Sequence, residues 1–212
     1  MPIIVILGFT ALAILILGTR GGVRTTVTPG VGTKQIEASL RKALPSRLAR
    51  WARELALAFE ETSVDPFLLA AIMDRESNGG GTLKPPGPTG TGDLGHGRGL
   101  MQIDDRAHKV WVATHDWQDP LTNIIKGAEE IKSKRASLAR LLGRGPSLNE
   151  IIAAYNTGEG NVKKSVTASS PRHPDATTNG GNYSVDVLRR YARFPGGGSV
   201  TLGLSLYTSR TS

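Results

Sequence analysis

The chain has 212 residues, of which 39% are apolar and 21% charged, enough for one ordinary domain with appendages and too apolar to be disordered throughout. It contains no cysteine, which excludes disulfides, thiolate catalysis, zinc–thiolate sites and iron–sulfur clusters. A formal net charge of +8 points to a polyanionic neighbour, which nucleic acid, membrane lipid and cell-wall polymer satisfy equally.

Residues 2–18, PIIVILGFTALAILILG, are interrupted only by Thr10 and are long enough to cross a hydrocarbon core. No Lys or Arg precedes the run and Gly18-Thr19-Arg20-Gly21 is a poor cleavage site, so a membrane anchor or signal-anchor over 1–19 is favoured over a cleaved leader. The absence of a polar stripe argues against a core helix. Residues 20–53 then carry eight Lys/Arg against Glu37 alone, whereas 65–194 carry 17 basic and 14 acidic residues. Most of the excess charge therefore lies beside the apolar run.

The Gly/Thr-rich stretch 20–33 reads as a flexible linker. Accessory helices are expected over 34–44 and 46–61, divided by Pro45, with Leu48, Trp51, Leu55 and Phe59 on one face of the second. Asp65-Pro66 supplies an N-cap and a first-turn proline for a helix that runs through FLLAAIMDRES and stops at Asn78-Gly79-Gly80-Gly81. Residues 82–100, rich in Gly and Pro, read as loops with a short hairpin. Helical patterns resume at about 105–114, 121–142, 148–157, 160–167 and 183–194, and 195–212 is a Gly/Ser-rich tail whose alternating Val200, Leu202, Leu204 and Leu206 suggest a strand.

Among residues that could carry chemistry, Glu76 stands first. It ends an apolar helix, where the negative end of the helix dipole and partial desolvation both favour the protonated form that a general acid needs. Asp93, flanked by glycines in GTGDLG, and Asp104, in GLMQIDD, offer carboxylates from the adjoining loop, and one of Asp104 and Asp105 is expected to cap the next helix. An acid on a helix end opposite loop carboxylates is the layout of a glycoside hydrolase pair. Other signals fail. The GxGxxG match at 90–95 lacks a preceding strand and a following helix. His96, His108, His115 and His173 lack metal-ligand spacing, so no metal or other cofactor is expected. No GxSxG elbow occurs, and the basic stretch has one aromatic and no nucleic-acid motif.

The blocks DRESNGG (74–80), GTGDLGHGRGLMQIDDRAH (90–108), NIIKGAEEI (123–131), AAYNTGEGNV (153–162) and DATTNGGNYSVDVLRRYARF (175–194) together resemble the goose-type lysozymes of the lysozyme and lytic transglycosylase superfamily. The resemblance covers roughly 65–194. It implies a mainly α, lysozyme-like α+β fold: a helical domain, a small Gly-rich β or loop lobe and a cleft between them. It places Glu76 on the catalytic acid, Asp93 and Asp104 on two aspartates that position or activate water, and Gln102, Met101, Tyr155 and Asn156 on substrate-binding positions. It also implies a peptidoglycan glycan strand as partner and a monomer that binds no nucleic acid. The expected reaction is hydrolysis, with inversion, of the β-1,4 bond between N-acetylmuramic acid and N-acetylglucosamine. A lytic transglycosylase leaving 1,6-anhydromuramic ends is the alternative, and a non-catalytic wall-binding or virion protein a third. Such a domain must face the periplasm or wall, yet Arg20, Arg24 and Lys34 follow the apolar run and would keep that side inside. A phage endolysin with a releasable signal-anchor, a virion membrane protein or a cleaved, secreted form would each resolve the conflict.

Overall fold

The computed structural model describes residues 23–25 and 30–196. The anchor expected over 1–19 and the strand expected in the tail lie outside the described residues. Among those described, no helix is long and apolar enough to cross a membrane.

Pro45 divides the first helices as its fixed φ and missing N–H demand. Helix α1 spans Val31–Ala43 and α2 Ser46–Ala49. The second expected helix is itself broken at Arg50-Trp51, after which α3 runs Ala52–Thr62. The cause is distant in sequence: the Trp51 indole N–H (3.0 Å) and the Arg50 guanidinium (2.5 Å) both donate to the Gly79 carbonyl.

Helix α4, Pro66–Ser77, starts as the sequence indicates, with the Asp65 carboxylate accepting from Phe67 N–H at 2.9 Å. Phe67 through Asp74 are all buried, so α4 is apolar nearly all round and forms the centre of the molecule. Its end is built into the structure. Asn78 takes a left-handed conformation, and a Cβ on Gly79 would lie 2.4 Å from the Arg47 carbonyl. Ser77 Oγ donates to the Leu100 carbonyl at 2.7 Å and joins the helix end to the following lobe.

That lobe is a three-stranded antiparallel meander, β1 (Thr91–Gly92), β2 (Gly97–Arg98) and β3 (Ile103–Asp104), with Gly92 opposite Gly97 and Gly97 opposite Asp104. Helix α5 covers only Lys109–Thr114. Neither Asp104 nor Asp105 caps it: the Asp104 carboxylate accepts from the Arg106 N–H at 2.8 Å in a local turn, and Asp105 pairs with His96 and Arg98.

The remaining helices are α6 (Pro120–Leu142), α7 (Leu148–Thr157), α8 (Glu159–Val166) and α9 (Tyr183–Arg193). Asp119 caps α6, Gly143 ends it at φ 65°, and Ser147 with Glu150 forms a capping box on α7. One contiguous cluster takes Leu40, Leu48 and Leu55 from the first helices, Leu69 and Ile72 from α4, Ile124 from α6 and Ile152 from α7. The fold is thus mainly helical with a small sheet, as expected. Residues 23–25, in the stretch expected to be a linker, are held to the α5–α6 corner by Val23 bridging to His115 and Thr25 N–H donating to Thr122 at 2.9 Å.

Two polar anchors cross this core. Asp74 on α4, 3% exposed at its side chain, accepts from Arg47 on α2 (2.8 Å) and Arg190 on α9 (2.5 Å). Burial acts to raise its pKa, but the two guanidinium groups prevail and hold it below the usual carboxylate range. A cavity of about 530 Å³ beside this network is lined by Arg47, Asp74, Asp186, Arg189, Arg190 and Arg193 and lacks all three candidate acids. The second anchor is Asp175, fully buried, which accepts from Ser184 N–H (2.8 Å), Ser184 Oγ (2.9 Å) and Val185 N–H (3.1 Å). It caps α9 from outside the helix, because Asn182 at the N-cap position makes no side-chain cap.

Candidate active site

Glu76 occupies the last turn of α4, part-buried, where the Ser77–Gly79 contacts fix the helix end. Its Oε1 accepts from the phenolic O–H of Tyr183, the first residue of α9. Burial pushes the Glu76 carboxyl up to about 7; the Tyr183 hydrogen bond and the Arg75 charge work against this and the Asp93 charge adds to it. A carboxyl poised near neutrality can hold a proton and give it up, as a general acid must. Burial and the nearby Glu76 charge raise the Tyr183 hydroxyl well above its ordinary value, so it remains a donor.

On the sheet side, the register places Gly92, Gly97 and Asp104 on one face. Gln102, at φ 50°, lies across the two glycines and donates from Nε2 to the Gly99 carbonyl at 2.8 Å. A Cβ on either Gly92 or Gly97 would sit 2.2 Å from Gln102 Oε1, so a side chain at either position would displace the Gln102 amide. Asp93 and Leu94 form the hairpin tip, both left-handed (φ 48° and 55°), and Leu94 is 100% exposed. Such strain in non-glycine residues persists only where the surroundings impose it. Arg106 joins the two aspartates, donating to Asp93 Oδ2 at 2.8 Å and to Asp104 Oδ2 at 2.6 Å. Hydrogen bonds from that guanidinium hold the Asp104 carboxyl at about 2.

The candidate substrate positions divide. Tyr155 is half-buried on α7 and donates to the Met101 carbonyl at 2.8 Å, while Met101 N–H donates to Asn123 Oδ1 at 2.8 Å. Met101 is fully buried, and its main-chain N–H and carbonyl both have protein partners. Met101 thus lies in the core, where its carbonyl receives the Tyr155 hydroxyl. Asn156 accepts from Asn179 N–H at 3.0 Å and ties α7 to the loop before α9, whereas the Gln102 amide lies over Gly92 and Gly97 of the sheet.

Three positioning residues escape the sequence reading. Asn123 holds the Gly99–Met101 segment, Arg106 joins the aspartates and Tyr183 binds Glu76. Only Arg106, two residues beyond Asp104, lies close enough in sequence to offer a signal. Replacing Tyr183 by phenylalanine removes a bond that favours the ionised form of Glu76. The Glu76 pKa then rises above about 7, and on the expectation that Glu76 acts as a protonated general acid, the alkaline limb of kcat/KM moves to higher pH. A pH–rate profile of Tyr183→Phe beside the wild type checks the sign.

The helical domain, the short glycine-rich meander and the acid at the end of the central helix define a lysozyme-like α+β fold. Residues 19–196 match the family model of lysozyme g, and the chain belongs to that family. It is similar to lysozyme g of Struthio camelus, 32% identical over 134 residues (62% of this chain, 59% of the relative). Lysozyme g of Gallus gallus is 33% identical over 138 residues (64% and 59%). A membrane-bound lytic murein transglycosylase F 2 of Alkalilimnicola ehrlichii is 27% identical over 124 residues (58% and 26%). The chain thus spans about three fifths of the length of these two lysozyme g relatives.

Proposed function

We propose that the protein is a peptidoglycan muramidase that hydrolyses the β-1,4 bond between N-acetylmuramic acid and N-acetylglucosamine with inversion. The observation that carries this reading is the Glu76 carboxyl at the end of α4, pushed up to about 7 by burial and within reach of the Asp93 charge, with Arg106 joining Asp93 to Asp104. Glu76 gives its proton to the glycosidic oxygen as the C1–O bond breaks with both electrons going to that oxygen. A water oxygen bonds to C1 from the opposite face, and its proton passes to an aspartate carboxylate of the Asp93–Asp104 pair. The aspartate then releases its proton to solvent and Glu76 takes one up from it, so the cycle closes with one water consumed per bond. The family membership and the names of the relatives support this substrate class.

The similarity to a lytic murein transglycosylase favours a second reading, in which the muramic 6-hydroxyl replaces water and the product ends are 1,6-anhydro. Mass spectrometry of a digest of purified peptidoglycan separates the readings. Reducing muramic ends with the mass of one added water are expected. Anhydro ends lacking that water would assign the transglycosylase route, and wall binding without cleavage would assign a non-catalytic role. On the hydrolase reading residues 65–194 are the catalytic unit, helices α1–α3 brace it, and the chain acts where peptidoglycan lies, outside the cytoplasmic membrane.

A further inference from the structure

Asp93 and Asp104 stand in unlike surroundings, although the sequence presents them as a pair. Arg106 donates to Asp104 through Nε (3.0 Å to Oδ1, 3.2 Å to Oδ2), through Nη2 (2.6 Å to Oδ2) and through its backbone N–H (2.8 Å to Oδ1). Both Asp104 oxygens are therefore engaged. Asp93 receives a single contact, Nη2 to Oδ2 at 2.8 Å, and its Oδ1 takes no hydrogen bond among the described residues. A general base needs an open lone pair at a fixed position, and only Asp93 has both. Asp93 is moreover a carboxylate whose charge acts on Glu76. The Asp104 charge acts on His108, which also faces Glu130, Lys126 and Lys134.

We infer that the two aspartates have different roles: Asp104 anchors Arg106, and the anchored guanidinium positions Asp93 as the carboxylate that takes the proton from water. The hairpin tip supplies the need for such a clamp. Asp93 is left-handed, its neighbour Leu94 is fully exposed, and the Arg106 guanidinium is the one side-chain hydrogen-bond partner of the Asp93 carboxylate among the described residues. Arg106, reaching back from two residues beyond β3, spans the tip and the sheet edge. It touches no reacting atom and is a positioning residue. Misplacing a reacting group by about 1 Å costs on the order of 100-fold in rate, so a clamp at this point controls turnover.

The inference rests on the hydrolase reading, and its test uses the full chain on purified peptidoglycan. Arg106→Ala is expected to lower kcat about 10–100-fold with KM within about twofold, and Arg106→Lys to recover part of the loss. Asp104→Asn is expected to match Arg106→Ala, and the double variant to be no worse than either alone, because both act through one contact. Sodium azide, a nucleophile with no proton to lose, tests the base directly. Glu76 still protonates the leaving oxygen, azide nitrogen bonds to C1, and the glycosyl azide is read by mass spectrometry. It is expected from Asp93→Gly and absent from Asp104→Gly. Azide product from Asp104→Gly, azide product from neither variant, or an Arg106→Ala enzyme with wild-type kcat overturns the assignment and leaves the muramidase reading intact. A wild-type chain that yields no reducing ends overturns both. Circular dichroism of each variant confirms that the exposed clamp can be removed without unfolding.

Discussion

Glu76→Gln is expected to reduce peptidoglycan cleavage about 10²–10⁴-fold, the range lost when a positioned general acid is removed. Glutamine keeps the shape and can still accept from Tyr183, so substrate binding and circular dichroism should match the wild type. Stability supplies an independent check of the sign. A carboxyl raised to about 7 in the folded protein, from an ordinary 4.5, makes the folded state bind the proton more tightly than the unfolded chain does. That contribution is fully present below the unfolded value and is lost as pH rises through about 7. Glutamine carries no charge at any pH, so the variant should equal or exceed the wild type in thermal stability at pH 8 although its cleavage is greatly reduced. Retained cleavage would remove Glu76 from the mechanism. A variant less stable than wild type at pH 8 would show that the carboxyl is not strained by burial.

The largest expected loss of stability follows replacement of Asp175 by alanine. Three donors, Ser184 N–H, Val185 N–H and Ser184 Oγ, converge on this fully buried carboxylate, and two of them are unpaired groups of the first turn of α9. Removing the acceptor leaves them desolvated and unmatched at a cost of about 3–5 kcal/mol. For a domain of this size that corresponds to a fall in Tm of roughly 6–20 °C. The effect reaches the site through one helix turn, since the residue before Ser184 is Tyr183, whose hydroxyl holds Glu76. Below its melting point the variant should therefore lose activity as well as stability. Thermal denaturation followed by circular dichroism, with activity assayed at low temperature, separates the two losses. A change in Tm under about 2 °C would mean that water or another group replaces the carboxylate.

Local rules account for the parts of this structure that were legible in the sequence. Asp65-Pro66, Asp119-Pro120, Ser147 with Glu150 and Gly143 are each satisfied within a few residues, so the ends of α4, α6 and α7 follow from the chain itself. The break at Trp51 does not, because it answers to a carbonyl 28 residues away. The same distinction runs through the site. Glu76, Asp93 and Asp104 could be chosen from type and neighbourhood, whereas the bond from Tyr183 to Glu76 spans 107 residues and exists only once α4 and α9 have met. The burial of Met101 was likewise not legible from its motif. Its place in a substrate-lining motif suggested contact, and packing turned the side chain inward.

The network around Asp74 has a consequence for how this chain reaches its fold. Asp74 and Arg190 lie 116 residues apart, a separation that secreted proteins commonly close with a disulfide. Here the closure is ionic, in a chain without a single cysteine. With no thiol to pair, its assembly waits for no oxidant, and no disulfide can be mispaired. The same polypeptide can mature in a reducing or an oxidising compartment. Acid is the agent that undoes the closure, because protonating Asp74 removes its attraction for both arginines at once.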